Sequence, residues 1–196
     1  MQKIILASGS KNRQKLLKAL GIPFKIVASD FDEKKVKESN PSLRAQKIAI
    51  AKAKKVAGKH NGIIIACDTF TVCQNQFLEK PKDLNEAKEM LKQLSGKRVV
   101  CYTGFCFLDK INQINFSETA ITKIVFRKIY EEEIKKYVKK FPVTSWAAAY
   151  AASEIYVMGL IENISGSLTG LTHGLPTEFL IPLLKKSDYQ PKPIEL

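Results

Sequence analysis

The chain has 196 residues, 45% of them hydrophobic, enough to bury a substantial core in one large domain or two closely joined lobes. Thirty-two Lys and Arg against 19 Asp and Glu leave a formal charge of +13, which favours an anionic partner such as a nucleotide, a nucleic acid or an acidic membrane, although lysines scattered along helices equally serve to solvate an outer face. No window approaches the roughly 18 consecutive apolar residues of a membrane span, and the first apolar run is too short for a signal-peptide core, so a cytoplasmic protein is expected.

Ile4-Ile5-Leu6-Ala7 is too short for a helix and suits a buried strand, while Leu16, Leu17 and Leu20 recur at helical spacing. Between them, Ser8 to Arg13 make a small, polar, basic turn. A strand feeding such a loop into a helix aims free N–H groups and the positive end of the helix dipole at one point, with hydroxyls and cations beside it, and that point suits a phosphate. The plainer reading is that Ser10 caps a surface helix and the cations are solvated. The helix is expected to end near Gly21, ahead of Pro23, with a second strand over residues 24–28. Asp30, Asp32 and Glu33 follow, a loop that either holds a hard cation or stands solvated. Asn40-Pro41 marks a helix start, and the helix should run to about Gly58. Ala45, Ile48, Ala49, Ala53, Val56 and Ala57 share one face of it, with Lys52 in the middle of that face. A lysine in a core-facing stripe must snorkel outward or meet an anion.

The run Ile63-Ile64-Ile65-Ala66-Cys67 predicts a strand ending on Asp68-Thr69, the position where open α/β sheets place ligands. Phe70 and Val72, a turn at residues 74–76, and Phe77-Leu78 predict a hairpin that returns the chain through Glu79-Lys80-Pro81, bringing Lys80 toward Asp68. Asp83 and Glu86 have capping-box spacing before a helix with Leu84, Ala87, Leu91 and Leu94 on its buried face and Gly96 at its end. Residues 99–108 and 114–126 are rich in β-branched and aromatic types and predict long antiparallel strands. A helix follows over residues 131–140, stopping at Phe141-Pro142, and the Ala-rich stretch 146–153 fits no single pattern. Residues 155–161 predict a further strand, Gly166, Gly170 and Gly174 a loop, and residues 177–184 the last helix, with a flexible tail over 185–196. Cys67, Cys73, Cys101 and Cys106 contain no C-x-x-C pair and read as small buried thiols in a reducing compartment rather than as metal ligands or disulfides.

These features occur together in one known pattern. Leu6-Ala7-Ser8-Gly9-Ser10-Lys11-Asn12-Arg13 resembles the L-A-S-x-S-P-R-R signature of the Maf family of nucleotide pyrophosphatases. Further matches are Asp32-Glu33, Lys52-Ala53, Asp68-Thr69, Glu79-Lys80-Pro81, Leu94-Ser95-Gly96, Thr103-Gly104, the Ala/Tyr segment at 147–150 and Gly174-Leu175-Pro176. Each is weak alone, whereas their order and spacing cover almost the whole chain. The resemblance implies an α/β (α+β) fold: a mixed twisted sheet flanked by helices, in a single domain of two lobes with a central cleft, similar to the inosine-triphosphate pyrophosphatases. It implies a cytoplasmic enzyme that cleaves nucleoside triphosphates between the α and β phosphates with a divalent cation, Mg²⁺ or Mn²⁺. By the same resemblance Ser8, Arg13, Lys52 and Lys80 grip phosphate, Asp68 serves as base or orienter of water, and Glu33 with Asp68 holds the metal. A homodimer is compatible with the resemblance, and neither a membrane nor a nucleic acid is expected as a partner.

The sequence also departs from the family pattern. Lys11 and Asn12 stand where the signature has Pro and Arg, and the family segment D-K-A-G-A-Y-x-I-Q-G becomes residues 145–154, with Trp146 in place of Lys, Ala148 in place of Gly and Ser153 in place of the specificity Gln. In the family the positions held here by Asn12, Thr69 and Ser153 help to distinguish bases, so base preference does not carry over. Trp146 either stacks on a base or packs. Two other readings remain: an enzyme similar to the inosine-triphosphate pyrophosphatases, and a catalytically weak regulatory protein that binds nucleotide or nucleic acid.

Overall fold

The computed structural model describes residues 2–189. A strand β1 (Ile4–Leu6) leads into helix α1 (Lys11–Ala19), then β2 (Lys25–Ile26) and a 3-10 turn over Glu33–Lys35. Helix α2 (Pro41–Ala57) follows, capped by the Asn40 side chain, which accepts from the Leu43 N–H. Next come β3 (Ile63–Cys73), β4 (Gln76–Leu78), α3 (Leu84–Leu94), β5 (Arg98–Asp109), β6 (Ile114–Phe126) and α4 (Glu131–Lys140). Two 3-10 turns at Val143–Ser145 and Ala147–Ala149 precede the short helix α5 (Ile155–Met158), β7 (Ile161–Gly166), α6 (Leu168–His173) and α7 (Thr177–Lys186).

The sheet order is β2-β1-β3-β5-β6-β7, with β4 also paired to β3. β1 is parallel to β2 and β3, and the other pairings are antiparallel. This is the mixed sheet flanked by helices expected from the sequence. The apolar stripe of α2 packs one face of β1 and β3 through Ala49, Ala53, Val56, Ile64 and Ala66. Leu16 and Leu17 of α1 with Leu180, Leu183 and Leu184 of α7 cover the other face at Ile63, Ile65 and Phe105. A third apolar cluster joins α3 and α4 to the far ends of the same long strands, at Cys73, Val99, Cys101 and Ile124. Between the clusters, β3 and β5 carry Asp68, Thr69, Thr71 and Thr103 instead of aliphatic residues, and a cavity opens there.

Several elements differ from expectation. β3 does not end on Asp68-Thr69, because β5 pairs with it along its whole length, from Ile63 opposite Asp109 to Cys73 opposite Val99, so Asp68 lies in mid-strand. Residues 155–161 are not one strand: α5 comes first, and β7 forms only where β6 supplies a partner, Phe126 opposite Ile161. Gly170 lies inside α6 rather than in a loop, and Gly174 caps that helix in the left-handed conformation. Helix α7 extends through Lys186, and Tyr189 is buried; residues 190–196 of the expected tail lie outside the described residues. No helix among the described residues is long and apolar enough to cross a membrane.

Candidate active site

A cavity of about 1170 Å³ gathers Ser8, Asn12, Arg13, Glu33, Lys52, Asp68, Thr69 and Lys80 in its walls. Strand periodicity explains how one short stretch serves two sides of it. Ile64, Ala66 and Asp68 alternate on the α2 face of β3, and Ile63, Ile65, Cys67 and Thr69 on the α1 face. Asp68 therefore meets Lys52 of α2, and Thr69 meets Arg13 of α1.

On the α2 side, the Lys52 ammonium donates to Asp68 Oδ1 at 2.8 Å and pairs with Glu33 Oε1 at 2.5 Å. The anion demanded by a lysine in the apolar stripe is thus supplied by the protein itself. Glu33 is brought there by its 3-10 turn, whose start is capped by Asp32 accepting from the Lys34 N–H. Lys55 ties the preceding loop to α2 through the Asp30 carbonyl. Lys52 and Asp68 are 8% and 6% exposed, and burial pushes the Asp68 carboxyl above its ordinary range while Lys52 pulls it back. Gly104 sits opposite Asp68 in the ladder, and a Cβ there would lie 2.0 Å from the Ala45 carbonyl oxygen, so glycine lets α2 rest directly on the sheet beside the pair.

On the α1 side, the Arg13 guanidinium donates to the Ser8 hydroxyl at 2.7 Å, the Gly174 carbonyl at 2.8 Å and the Thr69 hydroxyl at 3.1 Å. Three distant segments are locked together by one buried cation. The Ser10 N–H donates to Ser8 Oγ, and the Ser10 side chain makes no capping bond, so the plain helix-cap reading of that serine does not hold. Gly174 has φ 64°, a conformation that presents its carbonyl to Arg13 without the strain a side chain would add.

The cavity also takes in residues that were not among the candidate site residues. Arg44 and Ile48 precede Lys52 at four-residue intervals on α2 and line the cavity with it, a spacing that marks one helix face. Thr71 and Tyr150 share a hydrogen bond across it at 3.2 Å. Trp146 lines it while packing against Phe141, the ring centroids 6.2 Å apart. Ser153 is the exception: it is not in the wall. The buried Ala151 and Ala152 line the cavity instead, and the chain then turns toward α5, Glu154 N–H bonding back to the Ala151 carbonyl. Asp30, Asp32 and Glu33 likewise do not converge, and no cluster of three or more His, Cys, Asp or Glu that would hold a metal occurs among the described residues.

The Maf-like protein family model matches residues 3–187. The chain belongs to the Maf family. A dTTP/UTP pyrophosphatase of Ruminiclostridium cellulolyticum is 36% identical to this Maf-family chain over 188 residues, covering 95% of it and 96% of the relative. A dTTP/UTP pyrophosphatase of Clostridium botulinum is 37% identical over 190 residues, 94% and 96% of the two chains. Among solved structures, the Staphylococcus aureus Ham1 protein superposes with a TM-score of 0.53 over 95% of this chain and 100% of its own, at 13% identity, a likeness of fold.

Proposed function

We propose that this Maf-family chain hydrolyses nucleoside triphosphates at the α–β phosphate bond, releasing a nucleoside monophosphate and pyrophosphate in the cytoplasm. The observation that carries the reading is the buried Lys52–Asp68 pair, joined by the half-exposed Glu33, in one cavity with the Ser8–Arg13 loop. In this account Asp68 orients the attacking water and accepts its proton, and a carboxyl with a raised pKa is a stronger base once ionised. The water oxygen bonds to phosphorus as the bridging P–O bond breaks, and the electron pair leaves on pyrophosphate. The Ser8 hydroxyl, the free N–H groups of the turn, Arg13 and Lys80 neutralise and orient the phosphates. Lys52 keeps two carboxylates together in a site that must also receive a polyanion. The name of the relatives directs substrate tests first to thymidine and uridine triphosphates.

The donor set suits a divalent cation. Glu33 and Asp68 already converge on one positive charge, at 2.5 and 2.8 Å, and two carboxylates with substrate phosphate oxygens are a usual environment for Mg²⁺. Bound there, Mg²⁺ or Mn²⁺ would withdraw charge from the phosphoryl oxygens. Separation of the products of dTTP or UTP by ion-exchange chromatography tests the bond assignment. Monophosphate with pyrophosphate is expected; diphosphate with orthophosphate would overturn it.

A further inference from the structure

Arg44 is a cation in the cavity wall whose guanidinium the fold holds in place but leaves, among the described residues, without a hydrogen-bonding partner. Its guanidinium lies over Phe77, 4.6 Å from the ring centroid, and 5.5 Å from that of Phe70. Cation–π contact of this kind fixes the plane of the group without using its donors. Among the described residues its ion-pair partner is Glu79, 3.5 Å from a terminal nitrogen, and that carboxylate is largely exposed. The Arg44 side chain makes no hydrogen bond among the described residues, and its Nε is buried with no acceptor. A buried donor left without an acceptor destabilises the fold, so the position is one that an incoming acceptor would relieve.

Position along α2 says which part of a substrate that acceptor belongs to. Arg44, Ile48 and Lys52 lie on one face, which sets Arg44 two turns, about 12 Å, along the helix from the Lys52–Asp68 pair. Lys80 follows Glu79 in sequence and lines the same cavity, which gives that wall a second cation next along the chain from the residue that pairs with Arg44. The Glu79 carbonyl accepts from the Ala148 N–H, which fastens this end to the segment bearing Trp146. Hydrolysis at the Asp68 end builds negative charge on the departing group, and a preset guanidinium, with a lysine in the same cavity, matches that charge.

We propose that Arg44 is a substrate-contacting residue that binds the leaving pyrophosphate together with Lys80, and that Glu79 holds Arg44 until phosphate displaces it. The inference rests on the pyrophosphatase reading above, and its test is independent of turnover. Calorimetric titration of the protein with inorganic pyrophosphate, and separately with thymidine and uridine monophosphates, gives both affinities. Arg44→Gln is expected to weaken pyrophosphate about tenfold, the size of one charge-assisted hydrogen bond, and to leave monophosphate affinity within about twofold. Arg44→Lys, which keeps the charge but not the planar fork, should lose less. Glu79→Gln should tighten pyrophosphate, and that gain should vanish in the Arg44→Gln background; a gain that persists there reflects only the removed negative charge and overturns the latch. Unchanged pyrophosphate affinity in Arg44→Gln, or equal losses for monophosphate, overturns the assignment, the latter placing Arg44 against the nucleoside. Thermal melting confirms that each variant is folded, and if Arg44→Gln is not, the Arg44→Lys and Glu79→Gln titrations decide. A wild-type protein that binds pyrophosphate through Arg44 but hydrolyses no triphosphate would refute the proposed function and reduce this assignment to a pyrophosphate-binding site without a leaving group.

Discussion

Lys52→Met keeps an unbranched stem in the α2 stripe and deletes the ammonium that Asp68 and Glu33 share. The Glu33 side chain is half exposed, so its part of the loss stays within about 1 kcal/mol. The Asp68 side chain is only 9% exposed, and a buried carboxylate stripped of its partner costs about 3–5 kcal/mol. Protonation sets a ceiling on that cost, since taking up a proton above the ordinary pKa of 3.8 requires 1.36 kcal/mol per pH unit, about 4 kcal/mol at pH 7 and about 2 kcal/mol at pH 5. The expected loss at pH 7 is therefore about 3 kcal/mol, or about 6–12 °C in Tm for a chain of this length. The sign with pH follows from the direction of the shift. Burial raises the Asp68 pKa in the folded protein, so between 3.8 and that raised value the native state holds a proton that the unfolded chain has released. Stability from this group accordingly falls as pH rises through the window, and removing Lys52 extends the window upward. Urea denaturation of wild type and variant at pH 7 and pH 5, repeated in an Asp68→Asn background, measures the coupling. A Lys52→Met protein as stable as wild type at pH 7, with the difference flat in pH, would refute the reasoning.

Gly104→Ala places a methyl group against the Ala45 carbonyl and should destabilise by about 3 kcal/mol while impairing hydrolysis through displaced α2; a thermal melt within 2 °C of wild type, taken as about 1 kcal/mol, counts against the close-packing argument. Burial pushes the Cys67 thiol up to about 11 and those of Cys101 and Cys106 to about 12, and raises that of Cys73 as well. A chromogenic disulfide reagent at pH 8 should therefore label the native protein slowly and all four thiols promptly in denaturant; rapid labelling of the native state would contradict the burial.

Local rules were enough wherever an element is fixed by its own residues. Asn40-Pro41 announced α2, the helical spacing of Ile134, Tyr137 and Val138 announced α4, and the β-branched run of 114–126 announced β6. They failed where pairing across the fold decides: Asp68 and Thr69 are polar, yet β5 carries β3 through them, and β7 exists because β6 has a free edge. The segment around Trp146 stayed illegible for a different reason. Ala148 and Ala149 hold φ of 55° and 60°, values that an alanine does not advertise. For the site, the lysine in the α2 stripe left an outward turn or an anion open, the resemblance gave it phosphate, and Asp68 was in hand as a candidate for other reasons. That the two are each other's partner, with Glu33 as a third member, needed the register of β3 against α2. Ser153 was read from its place in a motif, and the turn toward α5 takes it away from the wall.

The central claim is that Asp68, set in the cavity beside Lys52 and Glu33, drives triphosphate hydrolysis. Release of pyrophosphate from a panel of canonical-base, deaminated and methylated nucleoside triphosphates with Mg²⁺ or Mn²⁺, by wild type and by Asp68→Asn, tests it most directly. Turnover of at least one substrate by wild type, lost by about 10²-fold or more in a folded Asp68→Asn protein, is the predicted result. Full activity in that variant, or no turnover by wild type across the panel, would contradict it.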